Sequence, residues 1–341
     1  MNEQKWYCRR CKEVVKETDN GKRCGCTESP SPWEPLKQTM KVIVYEPFMH
    51  FIPTGEGWAR GFEDLGWTAY RLPAAQYRIL EVDAQVELLI MHDLSPAMIE
   101  DLRLYKKTYP TTKVAVLCDH WRPHFETAKD LVDLWFELSI QHTHSKKEFD
   151  VRGMNFGHVQ LSAHKKDFFP TNVERVNDVS FVGQLSHGYR GEDKYLHPVL
   201  NKGYRGIFGG GYNYKGIQYP HIGHEHLNNI YNSTKVNINF HYPLHKMEKA
   251  DDLEYRLEVN GRVFEIALSG NFQISDNPLV TDFFGDSIPV VGEKEWTDRI
   301  DYYLVHPEER DILTKKAYDI CLNNHMYVHR AKKILTLLKM L

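Results

Sequence analysis

The run Asn260-Gly261-Arg262-Val263-Phe264-Glu265-Ile266-Ala267-Leu268-Ser269-Gly270, continued by Asn271-Phe272-Gln273-Ile274-Ser275-Asp276, decides how this chain is read. Its first part has the apolar spacing of a short helix that stops at Gly270, and its second has the profile of a strand. One arginine and one glutamate fall on the first turns of that helix. A helix start collects unpaired backbone N–H groups and the positive end of the dipole, which suits a diphosphate. A carboxylate a few residues further in suits the two hydroxyls of a ribose. A nucleotide-sugar site is one reading; a core helix of an α/β sheet with its polar residues facing water is the other, and spacing alone leaves both open.

Working outward, the helix belongs to a series. Strand profiles at 178–183, 205–208, 236–240, 272–275 and 288–291 alternate with helical patterns at 193–200, 224–234, 262–268 and from 295 onward. An earlier series has strands at 41–45, 86–91, 114–118 and 158–161, with a loop carrying Pro53, Gly55 and Gly57 before a helix at 58–65 closed by Gly66. Such alternation predicts parallel sheets with helices on both faces. Two doubly wound, Rossmann-like domains facing a cleft are therefore expected, at 37–172 and 173–320, with a helix at 321–341 packing back on the body. Ligands of such folds sit at the carboxyl ends of the strands.

A chain of 341 residues suits two domains plus an appendage. With 42% hydrophobic and 26% charged residues it has an ordinary soluble composition, and no run is long enough to cross a bilayer. The polar start, residues 1–5, lacks an apolar signal core, so a cytoplasm, bacterial or of a phage's host, is expected. The net charge of −3 provides no global basic field for nucleic acid or acidic membranes.

Four of the six cysteines crowd the first 26 residues. Cys8 and Cys11 form a C-x2-C knuckle, Cys24 and Cys26 a C-x-C pair, with the turn signal Asp19-Asn20-Gly21 between them. Four thiolates brought together suit a structural zinc, which would supply the stability that so few apolar side chains cannot. Two disulfides are the competing reading, disfavoured in a reducing compartment. The zinc ribbon with its proline-rich linker, Ser29-Pro30-Ser31-Pro32-Trp33-Glu34-Pro35, spans 1–36. Arg9, Arg10, Lys12, Lys22 and Arg23 make it locally basic, which keeps DNA open as a partner. Cys118 and Cys321 lie in apolar contexts and are expected to pack as small hydrophobes.

Several blocks in the second half carry a resemblance. Phe181-Val182-Gly183, Ile230-Tyr231-Asn232-Ser233-Thr234-Lys235-Val236-Asn237-Ile238-Asn239, Asn260-Gly261-Arg262-Val263-Phe264-Glu265 with Gly270, and His325-Met326-Tyr327-Val328-His329-Arg330 occur in that order. Over 176–335 the chain resembles the C-terminal domain of GT-B glycosyltransferases, most closely the CgeB-like, spore-maturation type. The resemblance implies a GT-B fold and transfer of a sugar from a nucleotide-diphosphate sugar, UDP-linked first of all, to a hydroxyl acceptor, with no catalytic metal. It implies that Glu265, five residues before Gly270, binds the donor ribose and that Arg262 lies beside the diphosphate. Gly183 and Gln184 would let backbone approach the phosphates or sugar, and Gly55 would sit on a loop near the donor phosphates. One departure concerns the glutamate that many retaining members carry eight residues upstream: here it is Leu257, with Glu258 displaced by one, which leaves retention or inversion open.

Other candidates follow from chemistry. Lys215 or Arg256 could assist Arg262. A base for the acceptor hydroxyl is sought at strand ends of the first domain, at Asp119 and His120 in preference to His92 and Asp93, because Ser95 and Pro96 look like a helix cap just beyond the latter. Gly210, in Gly209-Gly210-Gly211, permits close backbone approach to a base or ribose. His224 is a candidate base-side or cap contact; with His221 and His226 its spacing does not suit a catalytic metal. A hydroxylated DNA base, flipped out of the duplex, and a cell-surface glycan or protein are the acceptors considered. A non-catalytic GT-B-like module, binding nucleic acid or protein through the ribbon, is the competing class.

Overall fold

The computed structural model describes residues 5–7, 14–16, 40–46, 52–73, 78–81, 85–92, 94–117, 125–138, 153–183, 190–241, 259–292 and 294–341. Cys8, Cys11, Cys24, Cys26, Asp93, Cys118, Asp119, His120, Gln184, Arg256, Leu257 and Glu258 lie outside them. Near the N-terminus β1 (Lys5–Tyr7) pairs antiparallel with β2 (Val14–Lys16).

The chain forms two units. The first comprises Met1–Glu137, Glu148–Gly157 and Ala331–Leu341, the second Leu138–Lys147 and His158–Arg330. In the first, β3 (Lys41–Glu46), α1 (Ile52–Glu63), β4 (Thr68–Pro73), β5 (Leu88–His92), α2 (Pro96–Thr108), β6 (Lys113–Leu117), α3 (Phe125–Ala128) and β7 (Leu134–Glu137) follow one another, with β4 and β7 additional to the expected strands. With β8 (Phe156–His158) the sheet runs β4-β3-β5-β6-β7-β8, and the pairings from β4 to β7 are all parallel. Ser95 caps α2, its Oγ accepting from the Met98 N–H at 3.3 Å, with Pro96 at the first helical position. The expected loop at Gly55 is instead the beginning of α1, where Gly55, Gly57, Trp58, Ala59 and Phe62 are buried. Three helical glycines, Gly55, Gly57 and Gly61, cost about 1 kcal/mol each, which burial of Trp58 and Phe62 outweighs.

The second unit holds β9 (Asn177–Val182), α4 (Arg190–Lys202), β10 (Gly206–Gly209), β11 (Tyr212–Tyr214), β12 (Ile217–Tyr219), α5 (His224–Asn232), β13 (Thr234–Asn239), α6 (Gly261–Leu268), β14 (Gln273–Ser275), α7 (Val280–Phe284), α8 (Trp296–Val305) and α9 (Pro307–Asn324). The final α10 (Tyr327–Leu337) begins in this unit. Its main sheet is parallel in the order β10-β9-β13-β14. The chain moves to one side of β9 and then to the other, so the order reverses between β9 and β13, where doubly wound folds place their ligands.

The two faces of this sheet differ chemically. Side chains alternate along a strand. Val179 and Phe181 of β9, Val236 and Ile238 of β13, and Phe272 and Ile274 at β14 join Leu196, Trp296 and Ile300 in one apolar core. The intervening Ser180, Asn237, Asn239, Gln273 and Ser275 are buried too, yet polar. They hydrogen-bond across and upward: Ser180 Oγ to Asn237 Oδ1 at 2.6 Å, Asn237 Nδ2 to the Phe272 carbonyl at 3.0 Å, Gln273 Nε2 to the Val263 carbonyl of α6 at 2.7 Å. Above this layer α6 buries Val263, Phe264, Ile266, Ala267 and Leu268 against α7, α9 and Cys321.

Two expected strands differ. At 158–161 only His158 closes β8; the following segment takes tertiary partners, such as Leu161 O from Arg330 Nε at 3.4 Å, and needs no ladder. At 288–291 a single parallel bridge joins Val290 to Ser275, because Pro289 offers no N–H to extend it. The hairpin β11–β12 was not anticipated; Lys215 and Gly216, at φ +50° and +80°, form its two-residue turn. No helix among the described residues is long and apolar enough to cross a membrane.

Candidate functional site

α6 begins without a side-chain cap. Its N-cap residue Asn260 turns its amide to the sheet instead, Nδ2 donating to Asn239 Oδ1 at 2.9 Å while Asn239 Nδ2 donates back to Asn260 Oδ1 at 3.2 Å. Among the described residues the Gly261 and Arg262 N–H groups at the helix start, at the carboxyl end of β13, therefore have no side-chain cap, while the Val263 N–H donates to the Asn260 carbonyl at 3.2 Å. Arg262 and Glu265, three residues apart, share one face of this helix.

The Arg262 guanidinium sits 5.0 Å from the centre of the Phe181 ring, and Nη1 donates to Asn239 Oδ1 at 3.3 Å. It packs over Gly183 so closely that a Cβ there would stand 2.5 Å from Nη2. Burial pulls its pKa below the usual guanidinium range, with Tyr231, Glu265 and Asp276 opposing. Among the described residues no carboxylate lies at ion-pair distance from it, so Glu265 and Asp276 act on the cation only through space.

Glu265 is half-buried, and the Tyr231 hydroxyl of α5 donates to its Oε2 at 3.2 Å. Its Oε1 has no hydrogen-bond partner among the described residues. Burial raises the Glu265 carboxyl above the usual carboxylate range, while His224, Arg262 and the Tyr231 hydrogen bond pull the other way. Burial likewise pushes the Tyr231 phenol well up, reinforced by the Glu265 charge. His224, the first residue of α5, stands edge-on to Phe168, ring centres 5.2 Å apart, and Phe168 stacks on Tyr231. The sequence-derived residues Gly183, His224, Arg262 and Glu265 are thus gathered in one place.

Others are placed differently. Gly210 N–H donates to the Pro220 carbonyl at 2.9 Å, and the space beside Gly209 and Gly211 is filled by Ile222 and the His221 ring, so the chain's own return accounts for the glycine run. Lys215 sits at the hairpin turn, its Nζ donating to Asn201 Oδ1 at 2.7 Å. Among the described residues no group of three or more His, Cys, Asp or Glu side chains is placed to hold a metal. Cys321 is fully buried as a small hydrophobe, its thiol pushed up to about 12.

Sequence reading assigned no role to Tyr231, Asn239, His241 or Asp276. The available signal was position: Asn239 ends β13, His241 lies two residues beyond it and Asp276 follows β14, all at the carboxyl edge of the sheet.

Residues 194–336 match the family model described as glycosyl transferase-like. Among solved structures, a sucrose-phosphate synthase from Thermosynechococcus elongatus superposes with a TM-score of 0.56 at 10% identity, over 88% of this chain and 98% of that one. AviGT4, a glycosyltransferase involved in avilamycin A biosynthesis, gives 0.58 at 12% identity, over 88% and 97%. No curated protein matches in a sequence search. The chain has the α/β fold of the GT-B glycosyltransferases, and its C-terminal part carries a glycosyl transferase-like family match.

Proposed function

We propose that the protein is a glycosyltransferase that moves a sugar from a nucleotide-diphosphate sugar to a hydroxyl acceptor. The observation that carries this reading is the start of α6, which has no side-chain cap, with Arg262 and Glu265 on one face: among the described residues the first has no carboxylate at ion-pair distance and the second has one oxygen without a hydrogen-bond partner. Arg262 and the helix N–H groups would take the diphosphate, and Glu265 Oε1 the ribose hydroxyls, with UDP the expected carrier. Gly183 supports this arrangement by leaving room for the guanidinium, and Gln184 follows it in sequence.

As the glycosidic bond to the diphosphate breaks, negative charge grows on the leaving oxygen and positive charge on the sugar carbon. Arg262 and the helix dipole would stabilise the former. Asp119 and His120 remain the proposed base for an inverting reaction, Gly55 a proposed neighbour of the donor phosphates, and Cys8, Cys11, Cys24 and Cys26 proposed zinc ligands. The acceptor is proposed to be a hydroxylated DNA base or a cell-surface glycan or protein, and the subtype CgeB-like.

The test is calorimetric titration with UDP, GDP and TDP and their sugar conjugates, with mass spectrometry of products. Binding of at least one nucleotide at micromolar concentration, weakened by Glu265→Ala in a folded protein, is expected. A folded wild type that binds none of them overturns the proposal.

A further inference from the structure

One buried group beside the site has no assigned task. His241 follows β13 by two residues, and its side chain is 6% exposed. Asp276, 10% exposed, accepts twice through Oδ1, from the His241 backbone N–H and from its ring Nδ1, both at 2.8 Å. Ser275 Oγ lies 3.4 Å from the same nitrogen. A carboxylate can only accept, so these contacts assign the ring proton to Nδ1 and leave the lone pair on Nε2. Nε2 is buried with no hydrogen-bond partner among the described residues.

An orphaned buried acceptor is costly, and native interiors keep few of them. Here the ring is also held rigidly, from backbone and side chain at once, as a group is held when its other nitrogen must meet something. Burial lowers the His241 pKa, the Arg262 charge assists, and Asp276 opposes, so at neutral pH the ring remains an acceptor. The missing partner must therefore be a proton donor, which an ionised phosphate is not.

We propose that His241 Nε2 accepts a hydrogen bond from a hydroxyl of the sugar carried by the donor, with Asp276 as the residue that fixes its tautomer. This rests on the donor-site reading above and adds to it a residue that reads the sugar, separate from Arg262 and Glu265, which address the nucleotide diphosphate. The site then has two functional halves on adjacent strand ends: the α6 start for the carrier and the β13 and β14 ends for its cargo.

The experiment compares wild type, His241→Phe and His241→Gln in calorimetric titrations with UDP, GDP and TDP and with the same nucleotides carrying glucose, galactose or N-acetylglucosamine. For the tightest-binding pair, His241→Phe is expected to bind the bare nucleotide within twofold of wild type and the sugar nucleotide roughly 5- to 30-fold more weakly, the value of one hydrogen bond. His241→Gln, which offers an amide oxygen, is expected to recover part of the loss and covers the case in which the Phe protein does not fold. Monodeoxy donors should include one whose binding is indifferent to the substitution. Equal weakening of nucleotide and sugar nucleotide, or of neither, overturns the inference while leaving the donor site standing. A wild type that binds no nucleotide overturns the donor site itself, and the inference with it.

Discussion

Replacing Arg262 with methionine separates a binding role from a stabilising one, because the two predict opposite outcomes in the free protein. Among the described residues the guanidinium has one hydrogen bond, to a neutral amide oxygen at 3.3 Å, and a ring face at 5.0 Å. The ring contact contributes about 0.5–2 kcal/mol and the hydrogen bond about 1 kcal/mol. Against them stands the desolvation of a charge that, among the described residues, has no carboxylate at ion-pair distance, a penalty of several kcal/mol per ion that methionine removes. The free Arg262→Met protein should therefore melt within about 4 °C of wild type, on the scale of 2–4 °C per kcal/mol for large domains. A bound diphosphate reverses the balance. A charge-assisted hydrogen bond contributes about 1.5–3 kcal/mol, so the variant should bind a nucleoside diphosphate about 10- to 150-fold more weakly. Thermal melts with and without nucleotide, paired with calorimetry, read both quantities. Nucleotide affinity within threefold of wild type would refute the anion role, and a free protein destabilised by more than about 3 kcal/mol would refute the desolvation argument.

Gly183→Ala puts a methyl 2.5 Å from Arg262 Nη2, at the movable end of a side chain, so the fold should survive while nucleotide affinity falls; in a double-mutant cycle with Arg262→Met the two losses should not add. Glu265→Gln should weaken nucleotide binding about tenfold yet leave the free protein at least as stable at pH 8. The sign follows from the raised pKa: the contribution of this carboxyl is complete below its unfolded value of about 4.3 and is lost as pH rises through the folded one, so urea melts should show wild type gaining on the variant towards pH 4.5. A variant that instead loses ground as pH rises would contradict the assignment. Gly270→Ala, at φ +66° with a Cβ 2.8 Å from Pro170 Cγ, should cost about 2–3 kcal/mol in urea denaturation, and a cost below about 0.5 kcal/mol would contradict the reading.

Much of the second unit was legible because its periods are strong. The helix around Glu265, its stop at Gly270 and the strand beyond need only local pattern, and the observed α6 differs from the expected range by one residue. Gly55 misled because a proline and two glycines suggest a loop, whereas burial of Trp58 and Phe62 holds them in a helix. The Gly209–Gly211 run is ambiguous in another way: glycine marks close approach without saying whether a ligand or the chain itself arrives, and Ile222 and the His221 ring stand beside Gly209 and Gly211. Tyr231, His241 and Asp276 were hidden because their relevance is a matter of neighbours 34 and 35 residues away, which no local window contains.

The polar underside of the β9–β13–β14 sheet sets different rules for change on its two faces. Apolar contacts are nearly indifferent to direction, so the face bearing Val236 and Ile238 can accept swaps that conserve volume. Directional bonds from Gln273 to the Val263 carbonyl and from Asn239 to Asn260 fix both the rotation of α6 and its height above the sheet. A hydrophobic isostere at either position would leave room filled but the helix free to turn, and a few degrees at its start would swing Arg262 and Glu265 apart from whatever they hold. A designer seeking a new donor preference has the widest latitude on the apolar side and the least beneath the helix.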